Sequence, residues 1–109
     1  MKGKILLVDD EQTIRELVAS VLMRDFQVAE AESGAALQKT FSDAQPDVVV
    51  LDVKLKDANG LELLPLIKKR WSDTEVIMLT GQGTMEMALE AGRLGAYTFL
   101  TKPFETEKL

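Results

Sequence analysis

The sequence predicts an α/β fold, a doubly wound parallel sheet of five strands with helices on both faces. Three observations predict it. Five short apolar runs alternate with segments whose apolar residues recur at helical spacing. The strongest runs are continuous rather than alternating, as in strands buried on both faces. Four of the runs end at polar residues able to do chemistry: Asp9-Asp10, Asp52, Thr80 and Lys102.

The elements follow in order. Ile5-Leu6-Leu7-Val8 is the first strand, stopping at Asp9-Asp10. Ile14, Leu17, Val18, Val21 and Leu22 give one apolar helix face from about residue 11 to residue 24, with Asp10 as N-cap. Residues 27–31 form a weaker strand. Ser33 caps the next helix, where Leu37 and Phe41 lie one turn apart, and Pro46 ends that unit. Val48-Val49-Val50-Leu51 is the strongest strand and ends at Asp52. After a loop over 54–60, Leu64, Ile67 and Trp71 mark a third helix, with Pro65 near its start. Val76-Ile77-Met78-Leu79 is a fourth strand ending at Thr80. Gly81-Gln82-Gly83 is a loop, and Thr84 caps a helix carrying Met85, Ala88 and Leu89 that Gly95 stops. Thr98-Phe99-Leu100 is a short fifth strand closed by Lys102-Pro103. Alternating strands and helices connected this way build a parallel sheet.

Composition removes several function classes. The 109 residues suit one domain, and 46% hydrophobic content is enough for a core. Net charge is −5 and no basic run occurs, which argues against direct nucleic-acid binding by these residues. There is no Cys and no His, so disulfides, thiolate metal sites and imidazole catalysis are excluded. The apolar run at 5–8 is too short for a signal peptide or a membrane span, and the cytoplasm is the expected location.

In an open parallel sheet, ligands bind beyond the carboxyl ends of the strands. The fold therefore gathers Asp9, Asp10, Asp52, Thr80 and Lys102 at one edge. Carboxylates about 4 Å apart repel by roughly 4 kcal/mol per pair at an effective dielectric of about 20. A cation must offset this. An all-oxygen donor set suits Mg²⁺, with Mn²⁺ as the alternative, better than Zn²⁺. An Asp carboxylate can act as nucleophile and form an aspartyl-phosphate when a metal and a cationic side chain stabilise the transferring group. Asp52, at the tip of the most buried strand, is the candidate. Thr80 offers a hydroxyl donor and Lys102 a positive charge.

Each residue also has a plainer explanation. Asp10 could only cap a helix, Asp52 could only end a strand, and Thr80 could be an ordinary strand residue. Lys102 could be a solvated surface group. Asp57 and Asn59 read as a turn residue and a helix cap. Trp71 and the methionines read as packing. It is the joint occurrence of the strand-end residues that favours a phosphoryl site.

Four segments carry a family resemblance: Ile5-Leu-Leu-Val-Asp-Asp-Glu11, Val50-Leu-Asp-Val53, Leu79-Thr-Gly81 and Gly95-Ala-Tyr-Thr-Phe-Leu-Thr-Lys-Pro-Phe104. Together, in this order, they resemble the receiver domains of two-component response regulators. Around Thr80-Gly-Gln-Gly-Thr-Met-Glu-Met-Ala88 the chain is most similar to receivers of enhancer-binding transcriptional activators. The resemblance implies a flavodoxin-like sheet of order 2-1-3-4-5. It also implies that residues 1–109 form one receiver domain, the N-terminal part of a longer protein, with a fifth helix that begins near Glu105 and is cut short about one turn in.

The resemblance assigns roles. Asp52 is implied to be the phosphoacceptor for a sensor histidine kinase. Asp9, Asp10, Asp52 and the Val53 backbone carbonyl are implied to hold Mg²⁺. Thr80 and Lys102 would bind the phosphoryl group, and Thr80 and Phe99 would act as the switch. The Lys102-Pro103 bond would be cis. The domain would be a signalling module rather than an enzyme. It would act on an output domain or downstream protein, with no direct contact to nucleic acid or membrane, and phosphorylation-dependent homodimerisation is compatible with it. Two departures stand out. Receivers often carry Pro where Lys56 stands, so a looser loop is expected here, and Phe99 lacks the hydroxyl of the more usual Tyr. Two other classes remain open. A small aspartate-nucleophile phosphatase would need a second acid two residues after its nucleophile, where Lys54 follows Asp52. A receiver-like module could also signal by binding alone.

Overall fold

Five strands pair in parallel in the order β2-β1-β3-β4-β5 in the computed structural model, which describes residues 3–42, 45–81 and 85–101. They are β1 (Gly3–Val8), β2 (Phe26–Ala31), β3 (Val48–Asp52), β4 (Glu75–Thr80) and β5 (Thr98–Thr101). The helices are α1 (Gln12–Leu22), α2 (Gly34–Lys39), α3 (Gly60–Arg70) and α4 (Met85–Arg93), and a 3₁₀ turn over Thr40–Ser42 extends α2. The order matches the flavodoxin-like expectation. The fifth helix expected near Glu105, the cap at Thr84 and the Lys102-Pro103 bond lie outside the described residues.

Strand side chains alternate between two packed faces. Leu6, Val8, Val49, Leu51, Val76 and Met78 join Leu37 of α2, Leu63, Leu64 and Ile67 of α3 and Ala91 of α4. Ile5, Leu7, Val50 and Leu79 point the other way and meet Val18 and Ala19 of α1. The central strands are covered twice, which is why their sequences are continuously apolar. β2 lies at an edge, where Phe26, Gln27, Ala29 and Glu30 are exposed, so its pattern is the faintest. Trp71 is buried and meets Phe41 edge-on, with ring centres 5.2 Å apart and an interplanar angle of 87°. The methionines divide. Met78 is core, while Met23 and Met85 are exposed, so packing does not account for all of them.

Helix starts follow local chemistry. Ser33 Oγ accepts the Ala36 N–H at 3.0 Å, and Asn59 Oδ1 accepts the Leu61 N–H at 2.8 Å. The expected cap at Asp10 is corrected. The cap position of α1 is Glu11, which makes no side-chain cap bond. Asp9 Oδ1 instead accepts the Glu11 N–H at 2.8 Å, closing a turn two residues on and leaving Asp10 outside the helix. α3 starts at Gly60, five residues before Pro65, so the proline sits inside the helix and provides no N–H for the Leu61 carbonyl. Gly95 has φ of 103°, the left-handed conformation that ends α4.

The expected looseness of the β3–α3 loop is also corrected. Lys54 and Asn59 form an antiparallel bridge, and the Leu55 N–H donates to the Ala58 carbonyl at 3.0 Å. At the tip, Asp57 accepts the Gly34 N–H at 2.8 Å through Oδ1 and the Ala35 N–H at 3.0 Å through Oδ2. Hydrogen bonding thus ties the loop where proline rigidity is absent. The Gly34 and then the Ala35 amide hold the Asp57 carboxyl below the ordinary carboxylate range. A folded pKa below the unfolded one contributes stability that is present above about pH 4 and lost as pH falls through the folded value. The difference in melting temperature between wild type and Asp57→Asn should therefore be constant between about pH 7 and pH 5 and close below about pH 4. Thermal melts across that range check it; an unchanged gap at acid pH would rule out this linkage.

Candidate functional site

Strand register sets the site. Val8 pairs with Leu51, so Asp9, the next residue, comes level with Asp52 across β1 and β3. Asp52 pairs with Leu79, which places Thr80 one residue further on, opposite Thr101 of β5. Asp9, Asp52 and Thr80 are buried at 0%, 4% and 0% exposure, an unusual concentration of polar groups at one sheet edge. Asp10 is half-buried and Glu11 exposed.

One carboxylate oxygen from each of Asp9, Asp10, Glu11 and Asp52 lies within 4.8 Å of the others. Four carboxylate oxygens this close together could share one hard divalent cation, with water completing its shell. The donor set is oxygen only, as that ion requires. The sequence singles out Asp9, Asp10 and Asp52, and the structure adds the exposed Glu11 carboxylate to the same group. The available signal was that Glu11 is the third acid in an unbroken acidic run.

The backbone around the acids is fixed. The Asp9 N–H donates to the Ala31 carbonyl at 3.1 Å, and the Asp9 carbonyl accepts Arg15 Nη1 at 2.6 Å. Arg15 Nε reaches Glu30 Oε1 at 3.2 Å, tying the β1–α1 loop to β2. Asp52 Oδ1 accepts the Lys54 N–H at 3.3 Å, and the Val53 N–H donates to the Leu79 carbonyl at 2.8 Å. The Val53 carbonyl accepts the Gly60 N–H at 2.6 Å, which leaves one lone pair for any other partner. Gly60 packs against the acceptor strand so closely that a Cβ there would lie 2.2 Å from the Asp52 carbonyl oxygen.

Of the remaining expected residues, Phe99 stands on β5 opposite Met78 and packs, half-buried, against the larger core cluster. Lys102 lies outside the described residues.

The five-stranded parallel sheet thus carries a carboxylate cluster at its carboxyl edge. Residues 5–109 match the response regulator receiver domain family, and the chain belongs to it. It is 39% identical over 108 residues to the putative response regulator NtrX-like of Rickettsia conorii, covering 96% of this chain and 23% of that protein. The chain thus spans about a quarter of that relative. It is 34% identical to the chemotaxis protein CheY of Listeria monocytogenes, covering 97% of this chain and 91% of that one. Among solved structures it is similar to the beryllofluoride-activated NtrC4 receiver domain dimer, with a TM-score of 0.89 and 33% identity over 96% of this chain and 88% of that one. Relatives of the NtrX and NtrC kind agree with the resemblance to receivers of enhancer-binding activators. Among the described residues, no helix is long and apolar enough to cross a membrane.

Proposed function

We propose that this chain is the phosphoacceptor switch of a two-component response regulator, taking a phosphoryl group onto Asp52 from the phosphohistidine of a sensor histidine kinase in the cytoplasm. The observation that carries the reading is the buried Asp52 at the tip of β3 with three further carboxylates within 4.8 Å. Asp9, Asp10 and Asp52 hold Mg²⁺, with Mn²⁺ as a substitute, and the Val53 carbonyl can add its second lone pair. When bound, the ion offsets the carboxylate repulsion and stabilises charge on the transferring group. An Asp52 carboxylate oxygen attacks phosphorus as the phosphorus–nitrogen bond of the donor breaks. Thr80 and Lys102 bind the phosphoryl oxygens. The module supports its own phosphorylation and dephosphorylation and turns over no separate substrate.

Phosphorylation adds roughly 1.5 to 2 negative charges at Asp52. Thr80 moves toward them and Phe99 turns into the space released, shifting the surface of α4 and β5. Two features of α4 favour its movement. Gly92, one residue before the end of α4, weakens its last turn by up to about 1 kcal/mol relative to Ala, and among the described residues nothing lies within 4 Å of where its Cβ would be, so packing does not compensate. The surface then controls an output domain or downstream protein in transcription regulation, a reading supported by the far greater length of the NtrX-like relative. The NtrC4 receiver, solved as a beryllofluoride-activated dimer, supports phosphorylation-dependent homodimerisation.

Incubation with acetyl phosphate tests the reading. Labelling should require Mg²⁺ and fall to background with a chelator, followed by intact-mass measurement. Equal labelling with and without the ion would refute it.

A further inference from the structure

The β3–α3 loop is tied at its base and at its tip. At the base, the Gly60 N–H meets the Val53 carbonyl at 2.6 Å and Lys54 bridges to Asn59. At the tip, the Asp57 carboxylate reaches the first two amides of α2. Gly34 makes that approach possible: a Cβ there would lie 3.0 Å from the Ala58 Cβ and 3.3 Å from Asp57 Oδ1. The first turn of α2 divides its amides between two caps. Ser33, next to the helix, takes Ala36, while Asp57, over twenty residues away in sequence, takes Gly34 and Ala35. A local capping side chain reaches one amide of the turn, here Ala36, so the distant Asp57 carboxylate both completes the cap and joins the loop tip to α2.

That loop leads directly out of Asp52. Its first amide beyond Val53 is the Lys54 N–H, which points at Asp52 Oδ1 at 3.3 Å. Leu55, next along, is buried and fixes the inner side of the loop. We propose that Asp57 is a positioning residue for the acceptor: by anchoring the loop tip to α2, it holds the Lys54 amide against the Asp52 carboxylate and so orients the oxygen that takes the phosphoryl group. This rests on the reading of Asp52 as acceptor. Asp57 touches no reacting atom and acts through the backbone between it and Lys54. A carboxylate suits the task, because its two oxygens accept two amides at once and its charge strengthens both bonds. Small displacements at a reacting group are costly, about a hundredfold in rate for 1 Å.

The test compares three variants in acetyl phosphate labelling with Mg²⁺, at saturating donor and with folding checked by circular dichroism. Asp57→Ala should slow the saturated rate about tenfold, as expected for a fraction of an ångström of misplacement. Asp57→Asn, which keeps one oxygen for the Gly34 N–H, should fall between. Ser33→Ala removes the other cap of the same turn but leaves the loop anchored, and should label at the wild-type rate. The proposal is overturned if Asp57→Ala labels like wild type, or if Ser33→Ala slows as much. Should Asp57→Ala fail to fold, the comparison of Asp57→Asn with Ser33→Ala decides in the same way. An unlabelled wild-type chain would overturn the acceptor reading itself, which differs from an active wild type with unresponsive variants.

Discussion

Asp52→Asn should lose acetyl phosphate labelling to background while the protein stays folded. The substitution keeps the size and shape of the side chain. An Asn oxygen can still accept the Lys54 N–H that Asp52 Oδ1 accepts at 3.3 Å. What disappears is the anionic nucleophile, and an amide oxygen forms no comparable acyl phosphate. Stability should hold or rise, because one of four carboxylates within 4.8 Å is neutralised. Each such pair repels by roughly 4 kcal/mol at about 4 Å and an effective dielectric of about 20, so even partial relief offsets the loss of a charged acceptor. Mg²⁺ binding should weaken for the same reason, with one fewer anionic ligand. Intact-mass labelling and thermal melts with and without Mg²⁺ report all three effects. Retained labelling that maps to another residue would remove Asp52 from the mechanism. A large fall in melting temperature without Mg²⁺ would mean that the carboxylate is structurally required and that the cluster repels far less than its geometry implies.

The sequence displayed the sheet clearly where burial was two-sided and poorly elsewhere. β1, β3 and β4 pack against both faces, so their apolar runs are unbroken. β2 has one neighbour and an exposed outer side, and its pattern is correspondingly weak. α2 has six residues before it tightens into a 3₁₀ turn, which put the helix end before Phe41, while the spacing still placed Leu37 and Phe41 against one core cluster. The acidic cluster was legible because strand ends align at one edge of a parallel sheet, and one rule of topology brought Asp9, Asp10 and Asp52 together. Asp57 was misjudged for the opposite reason. A carboxylate in a polar loop looks like a turn former, and its partners Gly34 and Ala35 are 23 and 22 residues away. No local pattern announces a cap supplied at that distance. The cap of α1 failed more narrowly: three acids in a row offer several caps, and backbone geometry chose Glu11 while the Asp9 side chain closed the turn.

Gly60→Ala should be among the most damaging single-methyl additions in this domain. The added Cβ would sit 2.2 Å from the Asp52 carbonyl oxygen, 3.0 Å from the Val53 Cα and 3.1 Å from the Asp52 carbonyl carbon. All three are backbone atoms, held by the pairing of Asp52 with Leu79 and by the Val53 N–H bond to the Leu79 carbonyl. No flexible side chain can swing aside, so either β3 or the first turn of α3 must move. Gly60 does not adopt a positive φ, so the demand is for space and not for conformational freedom. Overpacking of this kind costs about 3 kcal/mol, equivalent to a fall of roughly 10–20 °C in melting temperature for a domain of this size. The same substitution at Gly92 provides the contrast, since among the described residues nothing lies within 4 Å of a Cβ there. Gly92→Ala should stabilise by up to about 1 kcal/mol through helix propensity alone. Melts of the two variants therefore shift in opposite directions. Any folded Gly60→Ala protein should also label at least about tenfold more slowly, because the strain is relieved at the backbone of the acceptor itself. A Gly60→Ala variant melting within a few degrees of wild type would show that β3 and α3 can separate without cost, and the close approach would then have no part in holding Asp52 in place.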